Sequence, residues 1–117
     1  MKIIYCRASD KKLCNDEYYS KKHLGKEVQK DLFDLINAIE DSALNLNDVN
    51  LPQYRLHPLK GNKDNLYSLT ISKKYKYRIE FIPLDIDNQK LVCNTDLTTF
   101  YKTVKNIKIT EISEHYD

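Results

Sequence analysis

The central stretch of the chain, from Tyr54 to Phe81, constrains the fold more than any other part of the sequence. It contains three short apolar runs, and residues that favour turns separate them. Gly61 and Asn62 stand between the first and second runs, and Ser72-Lys73-Lys74 stands between the second and third. Apolar runs of this length, bounded by such residues, predict three short strands of one sheet joined by turns.

Alternation within these runs predicts which side chains share a face of the sheet. The apolar face is expected to contain Tyr67, Leu69, Ile71, Tyr75, Tyr77, Ile79 and Phe81, and the opposite face Ser68, Thr70, Lys76, Arg78 and Glu80. If helices cover the apolar face, the polar set faces away from them. The polar face is therefore a candidate site.

Positive charge is concentrated in the same stretch. From position 50 to 81 the chain has seven Lys or Arg residues and two acidic ones, whereas both flanks are slightly acidic and the whole chain carries only +2. The basic residues are Arg55, Lys60, Lys63, Lys73, Lys74, Lys76 and Arg78, and Tyr54, Tyr67, Tyr75 and Tyr77 lie among them. A basic face with interleaved tyrosines suits a phosphate backbone whose bases can stack.

The N-terminal half predicts one strand and two helices. Lys2 to Cys6 is a short β-prone run, and Ser9 or Asp10 is expected to cap a polar first helix that ends near Gly25. The second helix has the clearest periodicity, with Val28, Leu32, Leu35, Ile36 and Ile39 on one face. That face is expected to pack on the sheet.

The C-terminal part predicts shorter elements. Leu91 to Cys93 is a possible strand, and Asp96 is a possible cap for a helical turn that carries Phe100, Tyr101 and Val104. The run from Asn106 to Tyr116 reads as a strand, but Ile112 is out of phase with Ile107 and Ile109. A bulge near Thr110 or Glu111 would bring the three isoleucines to one face.

Length and composition indicate one α+β domain over residues 1–117. A hydrophobic content of 41% and a charged content of 31% are typical of globular chains. No apolar stretch reaches the length of a membrane span, so a cytoplasmic protein without membrane contact is expected. Cys6, Cys14 and Cys93 form no metal-binding spacing and are expected to be reduced thiols, so we expect neither a metal nor a cofactor.

The stretch from position 50 to 81, which we call the basic centre, and the C-terminal tail contain candidate groups for metal-free RNA cleavage by the ribose 2′-hydroxyl. Such a reaction needs a base for the hydroxyl, cations for the phosphate and an acid for the leaving oxygen. Arg78 is the best phosphate ligand because its guanidinium is planar, and Lys60 is a second cation or a base. His57, His115 and Tyr116 are the candidates for proton transfer.

Several of these residues lie in motifs that are familiar as a set. The motifs are Leu56-His57-Pro58-Leu59-Lys60-Gly61-Asn62, Tyr67-Ser68-Leu69, Tyr77-Arg78-Ile79-Glu80-Phe81 and a tail from Ile109 to Tyr116. With them the chain resembles the HigB-type toxins of the RelE/ParE superfamily. The resemblance implies a RelE-like α+β fold, with two N-terminal helices packed on a twisted, mostly antiparallel sheet of four to five strands.

The same resemblance implies a function and partners. The chain would be a bacterial toxin that cuts messenger RNA on the ribosome. A HigA-like helix-turn-helix antitoxin would neutralise it and would connect it indirectly to operator DNA. Lys60 and Arg78 match the family's Leu-Lys-Gly and Tyr-Arg-Ile-x-Phe motifs, whereas Glu114-His115-Tyr116 departs from the Asp-Tyr-His ending of many relatives. A second departure is Thr70, where many relatives have an arginine.

Other basic-centre residues are predicted to bind RNA, and two alternative functions stay open. The predicted RNA-binding residues are Arg55, Lys63, Tyr67, Lys73, Lys74 and Lys76, and for Arg55, Lys63 and Lys74 the alternative of an ordinary solvated surface charge is favoured. One alternative is a ParE-like toxin that inhibits DNA gyrase by binding. The other is an inactive RNA-binding relative, which the exchanged C-terminal residues and Thr70 keep open.

Overall fold

The fold is a five-stranded sheet with helices packed on one face. Of the 117 residues, the computed structural model describes residues 1–60 and 65–114. The strands are β1 (Lys2–Tyr5), β2 (His57–Pro58), β3 (Tyr67–Ser72), β4 (Tyr77–Leu84) and β5 (Asn106–Glu114). The α-helices are α1 (Ala8–Asn15), α2 (Glu17–Leu24), α3 (Lys26–Asn37) and α4 (Leu97–Thr103). A π-helical turn, Ala38–Ser42, continues α3, and two short 3-10 helices follow at Leu46–Val49 and Pro52–Tyr54.

The sheet has the order β1-β5-β4-β3-β2. Among the described strands β1 and β5 pair in parallel, and the other neighbours are antiparallel. The predicted α+β class and mostly antiparallel sheet are therefore confirmed, as are the three strands of the central stretch.

The core lies between α3 and the apolar face of the sheet. All five residues of the predicted helix face are buried, and Leu32, Leu35 and Ile39 are fully buried. They belong to the same cluster as Leu69 and Ile79 of the central strands. Burying each such side chain stabilises the fold by roughly 2 kcal/mol, so this contact holds the helix on the sheet.

The polar N-terminal segment differs from the sequence-based expectation. It forms two helices, because Asp16 interrupts it and its carboxylate accepts a hydrogen bond from the Tyr19 backbone nitrogen at 3.0 Å. The expectation of a cap at Ser9 or Asp10 is wrong, since Arg7 occupies the cap position. Asp10 is instead buried and receives two hydrogen bonds from Arg7, at 2.8 and 3.1 Å. Gly25, with φ of 85°, ends α2 as predicted.

Two C-terminal predictions are confirmed and one is wrong. The Asp96 carboxylate caps α4 through the Thr99 backbone nitrogen, at 2.9 Å. Thr110 is the extra residue of a bulge, because Phe81 pairs with Ile109 while Glu80 pairs with Glu111. Residues 91–93, all of them described, form no strand, and this part of the chain contributes only an isolated bridge between Leu84 and Lys90.

Among the described residues, no helix combines the length and the apolar content that a membrane span requires.

Candidate nucleic-acid interface

The polar face of the central strands forms a concave site of about 240 Å³, which we call the basic pocket. The described residues that line it are Arg55, His57, Ser68, Thr70, Ser72, Lys73, Lys76, Tyr77 and Arg78. Four of them are Lys or Arg, and none is acidic. The pocket is thus suited to an anionic ligand, and its hydroxyl groups add hydrogen-bonding capacity.

Strand pairing brings the pocket residues together from separate parts of the sequence. In the β2–β3 pair His57 lies opposite Ser68, and in the β3–β4 pair Thr70 lies opposite Arg78. Side chains at opposed positions share a face of the sheet and are close neighbours. The histidine and the arginine therefore line one cavity although 20 positions separate them in the sequence.

Arg78 is held by an ion pair inside the site. Its Nη2 atom donates to Glu80 Oε1 at 2.7 Å, and the two side chains are only 13% and 4% exposed. Arg78 Nε and Ser68 Oγ are buried and have no hydrogen-bond partner among the described residues. Buried polar groups are normally paired, so these two atoms are candidate contacts for a polar ligand.

His57 has one ring nitrogen committed to the backbone. Its Nδ1 atom lies 2.6 Å from the carbonyl oxygen of Arg55. A carbonyl oxygen only accepts, so Nδ1 carries a proton in this contact, and in the neutral ring Nε2 is then the acceptor. The ring is half-buried and lines the basic pocket. This arrangement suits a group that takes up a proton from a ligand.

Two of the pocket cations occupy unusual backbone conformations. Arg55 has φ of 42° and Lys76 has φ of 57°, both in the left-handed region. Such a conformation costs a residue with a side chain about 1–2 kcal/mol. Lys76 belongs to the β3–β4 turn, where Ser72 Oγ accepts from the Tyr75 backbone nitrogen at 3.2 Å. Strained positions of this kind cluster at functional sites.

The structure brings together some of the predicted site residues and separates others. Arg55, His57, Lys73, Lys76 and Arg78 line the basic pocket. Lys60 is exposed just beyond β2 and does not line it. Lys74 also lies elsewhere, with its Nζ atom 3.8 Å from Glu27 of α3.

Three further predicted site residues, Lys63, His115 and Tyr116, lie outside the described residues.

The placement of Tyr67 corrects its prediction as an RNA-binding residue. Tyr67 is 5% exposed, and its ring centroid lies 5.8 Å from that of Phe100 and 6.1 Å from that of Phe81. Burial raises the pKa of its hydroxyl. A side chain packed in this way belongs to the core and is not available to stack on a base.

Sequence reasoning missed two residues that line the basic pocket, Ser72 and Tyr77. The register between β3 and β4 shifts after Thr70, so that Ser72 pairs with Tyr77 and lines the pocket. Tyr77 was expected on the apolar face, yet it lines the pocket, whereas Glu80 lies as expected on the Arg78 face of the strand. Among the described residues, no three His, Cys, Asp or Glu side chains are arranged to hold a metal ion.

Comparisons with known proteins support the resemblance at two levels. No protein-family model matches the chain. Over 49 residues the chain is 35% identical to endoribonuclease HigB of Proteus vulgaris, and this match covers 42% of the chain. It covers 52% of that relative, so the chain spans about half the length of the curated protein it matches.

A likeness of fold extends over nearly the whole chain. The YoeB/ParE toxin from Agrobacterium tumefaciens matches 99% of this chain and 100% of its own, with a TM-score of 0.55 and 15% sequence identity. At that identity the likeness concerns the fold. The chain therefore has a fold like that of the YoeB/ParE toxin, and over about two fifths of its length it is similar in sequence to HigB.

Proposed function

We propose that this chain is the toxin of a toxin-antitoxin pair and acts as a ribosome-dependent messenger RNA endonuclease. The observation that carries the proposal is the basic pocket, in which four cations and a histidine meet without an acidic lining residue. The sequence match to a protein named as an endoribonuclease supports the same reaction class.

The pocket cations would bind the phosphate at the scissile bond. Arg78 is the central ligand, because Glu80 fixes one guanidinium nitrogen and leaves Nε without a described partner. Lys73, Lys76 and Arg55 would neutralise the charge that develops on the phosphate oxygens. Lys60, exposed beyond β2, would bind a phosphate further along the strand.

His57 is the proposed base for the ribose 2′-hydroxyl. Its Nε2 atom takes the proton, the 2′-oxygen bonds to phosphorus, and the bond from phosphorus to the 5′-oxygen breaks. The acid that protonates this leaving oxygen is assigned to His115 or Tyr116. Both follow Glu114, the last residue of β5, which pairs with Tyr77 at the edge of the pocket. The products are a 2′,3′-cyclic phosphate and a 5′-hydroxyl.

Partners follow from the same proposal. The pocket is smaller than the roughly 300 Å³ at which small-molecule sites begin, which suits one unit of a polymer whose remainder is held elsewhere. The ribosome would hold that remainder. A HigA-like helix-turn-helix antitoxin would neutralise the toxin in the cytoplasm and would link it to operator DNA.

Primer extension on a reporter messenger RNA, after induction of the chain in bacteria, tests this function. We expect discrete cuts that require translation and that disappear in His57→Gln and Arg78→Ala. Lys30→Ala is the matched control, because Lys30 is an exposed cation of α3 that pairs with Asp34 away from the pocket. It should cut like the wild type.

The alternatives give different results in the same experiment. Growth arrest with intact messenger RNA would contradict the nuclease and favour a ParE-like gyrase inhibitor. RNA binding that weakens with salt, without any cuts on translating ribosomes, would favour an inactive relative.

A further inference from the structure

A second cavity lies beside the basic pocket, and we call it the side groove. It has a volume of about 620 Å³ and lies between the α2–α3 junction and the β3–β4 turn. Its lining includes three lysines, Lys26, Lys74 and Lys76, together with the aromatic rings of Tyr75 and Tyr77. Two carboxylates, those of Glu27 and Glu114, also line it, so the lining residues carry a small net positive charge.

The side groove is continuous with the basic pocket. Lys76 and Tyr77 line both cavities, so one turn of the chain forms the wall between them. A polymer with one unit in the basic pocket must place the neighbouring unit on an adjacent surface. The side groove is an adjacent surface with both cations and aromatic rings.

Tyr75 is the aromatic side chain that is best presented in this groove. It is 39% exposed, and its hydroxyl donates to Glu27 Oε2 at 3.0 Å, which ties the turn to α3. The Nζ atom of Lys74 lies 5.1 Å from the centre of the ring. The hydrogen bond of the hydroxyl and the contact with the lysine order the Tyr75 ring before a ligand binds, which lowers the entropic cost of binding.

Single-stranded nucleic acids are bound by this combination of features. Aromatic side chains stack on the bases, and nearby cations follow the backbone. The apolar side chains of Leu24 and Val28 also line the groove, which suits the flat, weakly polar face of a base. The Glu27 carboxylate lies close to Lys74 Nζ and accepts from the Tyr75 hydroxyl, so it offsets part of the positive charge of the groove. We therefore expect base stacking to contribute more to the free energy of binding here than phosphate contacts do.

We propose that the side groove binds the RNA nucleotide adjacent to the one in the basic pocket, with Tyr75 as its stacking platform. This inference rests on the proposed function, because it takes RNA as the ligand of the basic pocket. The side groove would be a second nucleotide site, so the chain would bind two consecutive nucleotides of the RNA.

The test measures binding of oligoribonucleotides of increasing length to the full chain at low salt. A 2′-deoxy sugar at the reactive position prevents cleavage, and nucleotides are added at the 5′ end in one series and at the 3′ end in the other. In one of the two series, a single added nucleotide should raise the affinity of the wild type by about fivefold or more, the lower end of base–aromatic stacking.

Single substitutions distinguish the contributions of the two cavities to RNA binding. Tyr75→Ala should lose the gain with length while binding the shortest oligonucleotide like the wild type, and Tyr75→Phe should keep most of the gain. Tyr18→Ala is the matched control, because Tyr18 is an exposed tyrosine of α2 that lines neither cavity. It should keep the whole gain.

The outcomes distinguish this inference from the proposed function. A gain that persists in Tyr75→Ala, or no gain in either series, overturns the side-groove assignment and leaves the basic pocket in place. Arg78→Ala should weaken binding at every length. If Arg78→Ala binds like the wild type while Tyr75→Ala loses the gain, the basic-pocket assignment fails and the groove stands. Absence of binding by the wild type overturns the side-groove assignment, whereas primer extension on translated messenger RNA tests the proposed function separately.

Discussion

Arg78 is both a buried ion-pair partner and the central ligand of the proposed site. Its side chain and that of Glu80 are almost fully enclosed, and the distance between their charged atoms is 2.7 Å. Removing one member of a buried pair leaves the other charge in a poor environment, whereas removing both charges costs much less. The effects of Arg78 on stability and on RNA are therefore separable by experiment.

We expect Arg78→Ala to lower the free energy of unfolding by about 3 kcal/mol, because the buried Glu80 carboxylate loses its hydrogen bond and ion pair with the guanidinium. The double variant Arg78→Ala with Glu80→Gln should recover a large part of that loss. Neither variant should cleave RNA, since both lack the guanidinium. Chemical denaturation measures the stability, and equal losses in the two variants would contradict the buried-pair account.

Tyr67 shows the limit of sequence reasoning at the residue scale. Alternation placed it correctly on the apolar face with Leu69, yet its position in a basic stretch suggested RNA binding. The rings of Phe100 and Tyr101 that enclose it come from α4, more than 30 positions away in the sequence. The alternation within β3 does not indicate this contact with α4. The burial of Tyr67 was therefore predictable from the sequence, but the aromatic residues that pack against it were not.

Among the elements, the β3–β4 turn has the most evident conflict between stability and function. It places Lys73 and Lys76 at the basic pocket, and Lys76 adopts a left-handed backbone to do so. Glycine adopts that conformation without steric cost. A lysine at position 76 therefore costs stability through its left-handed backbone, but it supplies a positive charge to the basic pocket.

We expect Lys76→Gly to raise the free energy of unfolding by about 1 kcal/mol, because it relieves the left-handed strain. It should also weaken RNA binding and reduce the slope of log affinity against log salt by about 0.7, the value for one phosphate contact of a single strand. Asn65→Gly is the control, since Asn65 is also left-handed, with φ of 61°, but does not line the pocket. Unchanged RNA affinity in Lys76→Gly would remove this lysine from the site.

The elements that sequence predicts well are those with a strong apolar pattern. The phase change among Ile107, Ile109 and Ile112 indicated a bulge near Thr110 or Glu111, because burial of all three requires one, and the structure has it at Thr110. The break between α1 and α2 was not predictable in the same way. Both helices are polar almost all round, so no apolar phase marks the interruption at Asp16.

At the scale of the whole molecule, the order of the strands in the sheet brings the residues of the basic pocket together. His57 and Arg78 line one pocket because β2 pairs with β3 and β3 with β4. The sequence pattern placed the central strands in one sheet and four of the nine described lining residues on one face, namely Ser68, Thr70, Lys76 and Arg78. It did not give the pairing of β2 or the turn geometry, because both depend on contacts between distant residues.

The buried Cys14 thiol predicts how the whole fold responds to alkali. Burial raises its pKa from 9.0 to about 12, and burial also raises the pKa of Tyr101 from 10.0 to about 12. Above pH 9 the unfolded chain therefore loses the thiol proton while the folded chain keeps it. Stability is fully present below pH 9 and falls as the pH rises from there towards 12.

We expect the free energy of unfolding to fall above pH 9 with a contribution from Cys14 of at most about 1.4 kcal/mol per pH unit. In Cys14→Ala the decline should begin about one pH unit later, where the tyrosines start to titrate. Denaturation curves at a series of alkaline pH values give this comparison. An identical pH dependence in both proteins would show that the thiol does not control it.

The most direct test of the central claim, attack by the 2′-hydroxyl in the basic pocket, is the chemical nature of the ends of cleaved RNA. Messenger RNA is cut by the purified chain on programmed ribosomes, and the 3′ end of the upstream fragment is analysed by mass spectrometry. The account predicts a 2′,3′-cyclic phosphate or its hydrolysis product, and no cleavage when the nucleotide at the cut carries a 2′-deoxy sugar. A 3′-hydroxyl end, or cleavage of the deoxy substrate, would contradict it.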